Sequence, residues 1–270
     1  MSTMQRLYET EAAIRARLTG HAAALPVTVY DAVTSTNDLL RDAAAAGAPE
    51  GTVIIARQQT AGRGRQGRAF FSPPDTGLYL SMLLRPELCA ETVLAVTPMG
   101  AVAAAKAAEA CTGQRVQIKW VNDLLLNGKK ICGILAESQF SAQTGKPDYI
   151  VLGIGFDLLE PPCGYPPALR EIAGALFPHG TDPQAAFLDC AAALISALDE
   201  EYAGLAEKRY LAAYRERLCV LHRPVIVMEN GTERRAEALA VDDDLRLLVR
   251  YEDGTKQWRS TGEIRIRMSP

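Results

Sequence analysis

The chain has 270 residues, of which 48% are hydrophobic and 23% are charged, so it can bury one large core and a small second domain. Its formal net charge of -3 lacks the basic excess that favours duplex DNA binding, and its six cysteines form no C-x-x-C pair of a zinc or redox site. No apolar run approaches the ~20 residues of a membrane span and the N-terminus lacks a signal peptide's apolar stretch, so the composition predicts a soluble cytoplasmic protein.

The first segment has helical spacing in Leu7, Ile14 and Leu18 and stops at Gly20, which predicts one amphipathic helix. A winged-helix DNA-binding module would need several further elements, and only about 25 residues precede the first predicted strand. We therefore expect no DNA-binding domain and no DNA partner.

Residues 27–30 have the composition of a strand. The triplet Ser-Thr-Asn at 35–37 then supplies capping side chains for an alanine-rich helix that Gly47 ends. Residues 52–56 predict a second strand, which leads into a loop over residues 60–77 that is too rich in glycine and proline for regular structure. The triplet therefore lies at a strand-to-helix turn, and the loop connects two strands.

Beyond the loop, residues 78–84 predict a strand and residues 91–111 an alanine-rich helix. Two further strands are predicted over residues 118–126 and 129–138. They are joined by Asn127-Gly128, the dipeptide that best fits a two-residue hairpin turn.

The second strand of this hairpin would alternate between two faces. Lys130 would lead an otherwise apolar face with Cys132 and Ile134, whereas Gly133 and Glu137 would belong to the other face. One lysine is thus predicted at the head of an apolar strand face.

The pattern changes in the last third of the chain. Residues 149–159 predict a strand, and residues 182–217, which open with Asp-Pro, predict helix in one or two pieces. Short alternating runs follow, separated by the turn dipeptides Asn230-Gly231 and Asp253-Gly254, which predicts a small antiparallel barrel. Two domains are therefore expected, a main domain over residues 1–217 and a barrel over residues 218–270.

The strongest chemical signal is the loop G-R-G-R-Q-G-R over residues 62–68, which combines three glycines with three arginines. Glycine lets backbone N–H groups approach an anion closely, and each guanidinium offers a permanently charged planar fork to oxygen pairs. The loop therefore suits a phosphate or carboxylate. An Arg-Gly run can also be a disordered RNA-binding segment or a solvated surface loop, although its position between two strands argues against a tail.

Six motifs occur in order along the chain. They are T-S-T-N at 34–37, Q-T-A-G-R-G-R-Q-G-R at 59–68, F-S-P at 71–73, G-L-Y-L-S at 77–81, K-W-V-N-D at 119–123 and G-K-K-I-C-G-I-L-A-E at 128–137. Each alone is a weak signal, but together they closely resemble the biotin-protein ligase family over roughly residues 30–157. The resemblance implies an α+β fold in which helices pack on a mixed central sheet, as in class II aminoacyl-tRNA synthetases, with an SH3-like β-barrel at the C-terminus.

The activity implied by this resemblance is the ATP-dependent conversion of biotin to biotinyl-5′-AMP, with Mg²⁺, followed by transfer of biotin to a lysine of a biotin carboxyl carrier domain. Three alternatives are a lipoate or octanoate ligase or transferase, which would lack the G-R-G-R-Q-G-R loop, a DNA-binding biotin sensor, and a biotin-binding pseudoenzyme. Relatives often form dimers through an edge of the sheet, so a homodimer is a further expectation of the resemblance.

The resemblance also implies a biotin pocket. A buried urea group needs both hydrogen-bond donors and acceptors, since an unpaired polar group there would cost ~1–3 kcal/mol. From local sequence alone, the triplet at 35–37 would only cap a helix. The positions that match the family's biotin-binding residues are Ser35, Thr36, Asn37, Gln59, Gly62, Arg63, Arg65, Lys130 and Gly133.

Lys130 matches the family's central lysine, whose ammonium lies near the biotin carboxylate and the α-phosphate. A fixed cation between two anions offsets their repulsion and stabilises charge that grows on the phosphoryl oxygens. Arg65 and Arg68 are expected to assist from the loop, which would cover the adenylate and exclude water. From the hairpin alone, Lys130 would be an exposed lysine beside Lys129.

Lys119, Trp120, Asn122 and Asp123 match the stretch that lines the ATP and transfer region in the family. The incoming carrier lysine is protonated in water at pH 7, and Asp123 is the candidate to orient or deprotonate it. The alternative for Asp123 is a salt bridge with Lys119 or Lys130.

The chain departs from the family pattern at three positions. Phe70 stands where the family usually has tryptophan, and it can still stack on adenine but lacks the indole N–H. Val121 replaces the proline of W-P-N-D. Asp157 replaces the asparagine of G-x-G-x-N near the nucleotide phosphates, where an acid would either ligate magnesium or repel ATP.

Overall fold

A computed structural model describes residues 3–86, 90–141, 143, 146–229, 232–260 and 265–268. The helices are α1 (Thr3–Arg15), α2 (Thr36–Ala45), α3 (Ala90–Thr112), α4 (Pro183–Ala203) and α5 (Tyr210–Arg217). The strands of the large sheet are β1 (Val27–Tyr30), β2 (Val53–Ala56), β3 (Gly77–Leu84), β4 (Gln117–Lys119), β5 (Asp123–Leu126), β6 (Lys129–Phe140) and β7 (Pro147–Asp157). Those of the small sheet are β8 (Pro224–Glu229), β9 (Thr232–Val241), β10 (Leu247–Tyr251), β11 (Lys256–Arg259) and β12 (Arg265–Met268).

The large sheet has the strand order β1-β2-β3-β7-β6-β5-β4. Only its β1/β2 pair is parallel, and every other neighbouring pair is antiparallel. The sheet is therefore mixed, and the predicted α+β class with helices packed on a mixed central sheet is confirmed.

One face of the large sheet carries the main hydrophobic core. Leu78, Leu80 and Met82 alternate along β3 toward this face and are almost fully buried together with residues of α3 and α4. Helix α3 is rich in buried alanines, and such small side chains let helices approach closely. Helices α3 and α4 therefore cover this face of the sheet, so a ligand-binding site would have to lie on the opposite face.

The expectation that no apolar run is long enough to span a membrane was wrong for α3. Its stretch Val93–Thr112 is long and apolar enough by composition, but 67% of its most apolar window is buried inside the protein. A helix at the centre of a hydrophobic core passes the same test of composition, and burial is what distinguishes it.

The opposite face of the large sheet is covered only in part. Helix α2 packs there, where Leu40 contacts a second, smaller core that includes Ile54, Leu83 and Val151. Among the described residues no helix covers β6 and the C-terminal end of β7 on this face, and residues 63–70 of the loop lie over the sheet instead. The uncovered part of this face is where the predicted site residues collect.

The predicted hairpin is present, with a correction to its first strand. Asn127 and Gly128 have positive φ angles of 51° and 78°, as a tight two-residue turn requires. The predicted strand over residues 118–126 is instead two strands, because β4 and β5 pair with each other and place Lys119 opposite Asp123. Residues 120–122 thus form a turn rather than the middle of a strand.

A second correction concerns the faces of β6. The register of β5 and β6 shifts between Leu124, which pairs with Cys132, and Leu125, which pairs with Lys130. This β-bulge adds one residue to β6, so strict alternation fails at that point. The Lys130 ammonium lies 3.2 Å from where a Cβ on Gly133 would be, so Lys130 shares the face of Gly133 and not that of Cys132.

The C-terminal residues form a five-stranded antiparallel sheet of order β11-β10-β9-β8-β12. The predicted turn at Asp253-Gly254 is present, with a φ of 84° at Gly254, whereas the predicted turn at Asn230-Gly231 lies outside the described residues. The small sheet contacts the main domain through Leu245, whose carbonyl oxygen accepts a hydrogen bond from the Trp120 indole at 3.1 Å.

Candidate functional site

A cavity of about 800 Å³ lies on the open face of the large sheet. Its wall is formed by the start of α2, the turn at residues 120–122, the ends of β5, β6 and β7, and the loop over residues 62–68, which we call the arginine-glycine loop. This volume is in the range of small-molecule sites. Motifs that are far apart in the sequence therefore meet around one cavity.

Three glycines keep the floor of this cavity flat. Gly133 and Gly155 pair across β6 and β7, and a Cβ on either would lie 2.9 Å or 2.8 Å from the Phe70 ring. A Cβ on Gly153 would lie 2.2 Å from the Asn37 Oδ1. Glycine is required at these positions because Phe70 and Asn37 lie directly on the backbone of the sheet.

One end of the cavity is lined by neutral polar groups. The Gln59 Oε1 accepts hydrogen bonds from the Thr36 backbone N–H at 2.9 Å and from the Thr36 hydroxyl at 3.2 Å. Ser35 is at the N-cap of α2, yet its side chain makes no capping hydrogen bond. The capping role predicted for this triplet is therefore taken by Gln59, which satisfies the first free N–H of the helix from another strand end.

Asn37 is held from two sides. Its Nδ2 donates to the Glu137 Oε2 at 2.8 Å, and its Oδ1 accepts from the Ser81 hydroxyl at 2.6 Å. Ser81 is fully buried and Asn37 is 5% exposed. Asn37 was predicted to bind the ligand, whereas its partners Ser81 and Glu137 were not among the predicted site residues.

The other end of the cavity is cationic. The Lys130 ammonium donates to the Asp123 carboxylate at 2.6 Å, so the salt bridge weighed as the alternative role of Asp123 is present. Arg65 donates to the Asn122 side-chain oxygen at 3.2 Å. Lys119 and Arg68 line the same cavity, so four cationic side chains surround this end.

Arg65 is held in a partly buried position. Burial lowers the pKa of its guanidinium, while Asp123 and the Tyr214 hydroxyl act in the opposite direction. An arginine stays protonated after such a shift, because its ordinary pKa lies far above neutral pH. Arg65 is therefore a fixed positive charge at the mouth of the cavity.

Arg63 uses its side chain, and not only its backbone, to hold the loop. Its guanidinium lies 2.8 Å from Asp38 and 2.7 Å from Glu137. Asp38 belongs to α2 and Glu137 to β6, so the loop is tied to both elements that flank the polar end.

Phe70 lies between the two ends of the cavity. Its ring covers the glycine floor, meets Tyr79 edge-on at 6.4 Å between centroids, and has the Lys130 ammonium 5.7 Å from its centroid. An aromatic ring on a glycine floor makes a flat surface on which another ring system can stack. This placement is compatible with the adenine-stacking role expected for Phe70.

Asp157 lies at the end of β7 and does not line the cavity. Burial disfavours its charged form and raises its pKa from 3.8 to about 8, and the Lys130 ammonium offsets only part of this effect. Near pH 7 this carboxyl is therefore mostly protonated. A neutral acid does not repel phosphates and is a poor metal ligand, so neither role expected for Asp157 is favoured by its surroundings.

Most of the predicted site residues come together in this cavity. Gly62 is an exception and does not line the cavity. A Cβ on Gly62 would lie 2.6 Å from the Ser72 hydroxyl and 2.7 Å from the Phe70 carbonyl oxygen, so the loop is tightly packed at this residue. The predicted residues that line the cavity are Ser35, Thr36, Asn37, Gln59, Arg63, Arg65, Arg68, Phe70, Lys119, Trp120, Asn122, Asp123, Lys130 and Gly133.

The described residues contain no group of three or more histidine, cysteine, aspartate or glutamate side chains that could hold a metal ion. With Asp123 paired to Lys130 and Asp157 mostly protonated, this donor set does not fit a protein-held magnesium. Mg²⁺ that accompanies a nucleotide can be bound mainly by phosphate oxygens and water.

Comparison with known proteins identifies relatives of this chain. The sequence pattern of the Biotin/lipoate A/B protein ligase family matches residues 29–157. The bifunctional ligase/repressor BirA of Escherichia coli is 31% identical over 259 residues, which cover 92% of this chain and 74% of that protein. BirA of Bacillus subtilis is 37% identical over 147 residues, which cover 54% of this chain and 45% of that protein. The chain thus spans less than half the length of this second relative.

A solved structure has a similar fold. The biotin protein ligase from Aquifex aeolicus, in complex with biotin and ATP, superposes with a TM-score of 0.72 at 23% identity, covering 90% of this chain and 99% of that one. At this identity the match shows the fold.

Proposed function

The chain belongs to the Biotin/lipoate A/B protein ligase family, and on that premise we propose that it is a biotin-protein ligase. It would activate biotin with ATP to give biotinyl-5′-AMP and pyrophosphate, and then transfer the biotinyl group to a lysine of a biotin carboxyl carrier domain. The names of its relatives support a ligase that acts with biotin.

The observation that carries this proposal is the difference between the two ends of the cavity. The Thr36 and Gln59 end is rich in neutral hydrogen-bonding groups, and the charge of Arg63 there is offset by Asp38 and Glu137. Lys130, Arg65 and Arg68 give the other end positive charge. Biotin has a neutral urea at one end and a carboxylate at the other. Octanoate and lipoate have no polar head group, so they would leave the polar end of the cavity unpaired.

The cationic end suits the first chemical step. The biotin carboxylate, already ionised near pH 7, would attack the α-phosphorus of ATP, and pyrophosphate would leave. Two anions must approach each other, and the fixed ammonium of Lys130 would stabilise the charge that grows on the phosphoryl oxygens. Lys119 and Arg65 would add positive charge at the same end, and Phe70 would provide the stacking surface for adenine.

The second step would use the Lys130–Asp123 pair. The carrier lysine must lose a proton before its amine attacks the carbonyl of the adenylate, and AMP then leaves. Asp123 is 2.6 Å from Lys130, so its carboxylate is already positioned next to the reacting end of the cavity. We propose that it orients the incoming amine and accepts its proton.

The proposal is tested by incubating the purified protein with α-³²P-labelled ATP, Mg²⁺ and either biotin or octanoate. We expect labelled adenylate with biotin only. When a carrier domain is added, the label should leave as AMP and the carrier should gain the mass of one biotinyl group, whereas a lysine-to-arginine version of that domain should gain none. Adenylate formed from octanoate alone would contradict the ligand assignment. Biotin binding without any adenylate would indicate a pseudoenzyme.

The proposal also covers the domain organisation, the cellular location and the assembly of the protein. The small antiparallel sheet would be an SH3-like barrel, with the domain boundary near residues 217–218. The chain would act in the cytoplasm, would bind no DNA, and would form a homodimer through an edge of the large sheet. Analytical ultracentrifugation with and without biotin and ATP would measure the oligomeric state directly.

A further inference from the structure

We propose that Ser81 and Glu137 are positioning residues which fix the Thr36 hydroxyl as a hydrogen-bond acceptor, so that the cavity selects a ligand with an N–H group at its polar end. The inference rests on the proposed function, because the ligand it concerns is biotin. Neither residue is among the predicted ligand contacts, and Ser81 does not line the cavity.

Four side chains form a continuous polar relay, namely Thr36, Ser81, Asn37 and Glu137. The Ser81 hydroxyl lies 2.8 Å from the Thr36 Oγ1 and 2.6 Å from the Asn37 Oδ1, and the Asn37 Nδ2 lies 2.8 Å from the Glu137 Oε2. Ser81 is 0% exposed and Thr36 is 3% exposed. Water therefore does not compete with the two hydrogen bonds of Ser81, and leaving one of them unmade is unfavourable.

The relay has a fixed direction because Glu137 is one end of it. The Glu137 carboxylate, which is also paired with the Arg63 guanidinium at 2.7 Å, only accepts hydrogen bonds. The Asn37 amide must therefore turn its Nδ2 toward Glu137 and its Oδ1 toward Ser81. An amide oxygen cannot donate, so the single hydroxyl hydrogen of Ser81 goes to Asn37.

The Thr36 hydroxyl has one hydrogen and two acceptors within the protein. These are the Ser81 Oγ at 2.8 Å and the Gln59 Oε1 at 3.2 Å. Whichever of them receives the hydrogen, the Thr36 Oγ1 has only lone pairs left to offer the cavity. A ligand must then supply the donor, which the N–H groups of a urea do and the hydrocarbon or disulfide end of a fatty or lipoic acid does not.

The relay is tested with Ser81→Ala, which removes the donor to Asn37 and the nearer of the two acceptors of the Thr36 hydroxyl. We expect the KM for biotin to rise about tenfold, as loss of one well-placed hydrogen bond implies, with kcat and the KM for ATP nearly unchanged. Thr10→Ala is the matched control, because the Thr10 hydroxyl is equally buried but bonds only within α1, to the Arg6 carbonyl oxygen. It should leave both KM values unchanged.

Two substitutions of Glu137 give an independent test if Ser81→Ala fails to fold. Glu137→Leu removes the acceptor and should raise the KM for biotin about as much as Ser81→Ala does. Glu137→Gln keeps an oxygen for the Asn37 amide while it removes the ion pair with Arg63, so biotin binding should be largely retained. Asp38→Asn weakens the ion pairs of Asp38 with Arg63 and with Arg41 but leaves the hydrogen bonds of the relay in place, so it should resemble Glu137→Gln.

Biotin titrated into each protein without ATP separates the two levels of the proposal. If wild type binds biotin and the Ser81→Ala and Glu137→Leu variants bind it with an affinity within twofold of wild type, the relay is overturned but the proposed function is not. Wild type that does not bind biotin at all would overturn both the relay and the proposed function. A parallel rise in the KM for ATP would show a general structural defect and would also count against a positioning role.

Discussion

At the scale of single residues, the proposed chemistry rests on the ion pair between Lys130 and Asp123. The two side chains are 2.6 Å apart and both remain partly exposed to the cavity, with side-chain exposures of 32% and 24%. A pair at this exposure contributes little to folding, because water screens it. Both side chains line the cavity at its cationic end, so we propose a chemical rather than a structural role for the pair.

Lys130→Met should abolish most adenylate formation while the protein stays folded. Loss of one preorganised charge typically raises a barrier by ~3–4 kcal/mol, or about a hundred- to thousandfold in rate. The initial rate of adenylation and the thermal midpoint are the two measurements. Lys129→Met is the control, since the Lys129 ammonium donates to the Arg170 carbonyl oxygen at 2.9 Å and does not line the cavity. A near-normal rate for Lys130→Met would exclude the assignment.

Asp157 should make the protein less stable as the pH rises. Its folded-state pKa of about 8 lies above its ordinary value of 3.8, so between these two pH values the folded state must keep a proton that the unfolded chain has lost. This contribution to stability is present below about pH 4 and falls progressively up to about pH 8.

Asp157→Asn should therefore be more stable than wild type, by a margin that grows from about pH 4 and levels off above about pH 8. The difference in stability is measured from the thermal midpoints of both proteins across this pH range. All other titrating groups are the same in the two proteins, so their effects largely cancel in the difference. A margin that does not change with pH would show that the Asp157 pKa is not raised.

At the scale of elements, the glycine floor of β6 and β7 sets the shape of the cavity. Gly153→Ala would push a methyl group to 2.2 Å from the Asn37 Oδ1, and Asn37 cannot move away without breaking its bonds to Ser81 and Glu137. We expect this variant to lose biotin affinity by at least tenfold, which calorimetric titration would detect. Gly180→Ala, whose added Cβ meets nothing within 4 Å, controls for loss of a glycine, although its φ of 86° makes some loss of stability expected.

The arginine-glycine loop should retain the adenylate. Arg65 is fixed by its bond to Asn122 and faces the cavity, where it can contact the phosphate of the adenylate. Arg65→Ala should speed dissociation of biotinyl-5′-AMP by roughly tenfold to a hundredfold, since a charge-assisted hydrogen bond contributes ~1.5–3 kcal/mol. Stopped-flow measurement of the dissociation rate would check this, and an unchanged rate would contradict the role of the loop.

At the scale of the whole molecule, the small sheet helps to hold the turn at residues 120–122. The Trp120 indole N–H donates to the Leu245 carbonyl oxygen at 3.1 Å, and the Tyr214 hydroxyl donates to the Val121 carbonyl oxygen at 3.2 Å. Both bonds are buried. The turn at residues 120–122, which forms part of the cavity wall, is thus positioned partly by residues of the last third of the chain.

Trp120→Phe should destabilise the protein by about 1–3 kcal/mol, because the buried Leu245 carbonyl loses its donor. It should also raise the KM for ATP more than the KM for biotin, since Trp120 belongs to the cationic end. Urea unfolding and steady-state kinetics measure the two effects. Trp258→Phe is the matched control, because Trp258 is 42% exposed on the small sheet and should change neither quantity appreciably.

The sequence alone determined the features that depend on local chemistry. The turn at Asn127-Gly128 follows from the positive φ angles that this dipeptide accommodates, and the helix start at Asp182-Pro183 follows from capping, with the Asp182 carboxylate accepting from the Gln184 N–H at 2.8 Å. The order of the six motifs was enough to predict the family and most of the residues that line the cavity.

Only the tertiary structure decided how those residues are oriented and paired. A bulge at Ile131 places Lys130 on the face of the sheet that lines the cavity. Periodicity cannot predict this bulge because it assumes a regular pleat. The bonds of Gln59 to Thr36 and of Ser81 to Asn37 join residues 23 and 44 positions apart, so no local rule predicts them. Local propensity sets which elements form, whereas the partner of each buried polar group is set by how distant strands and helices pack.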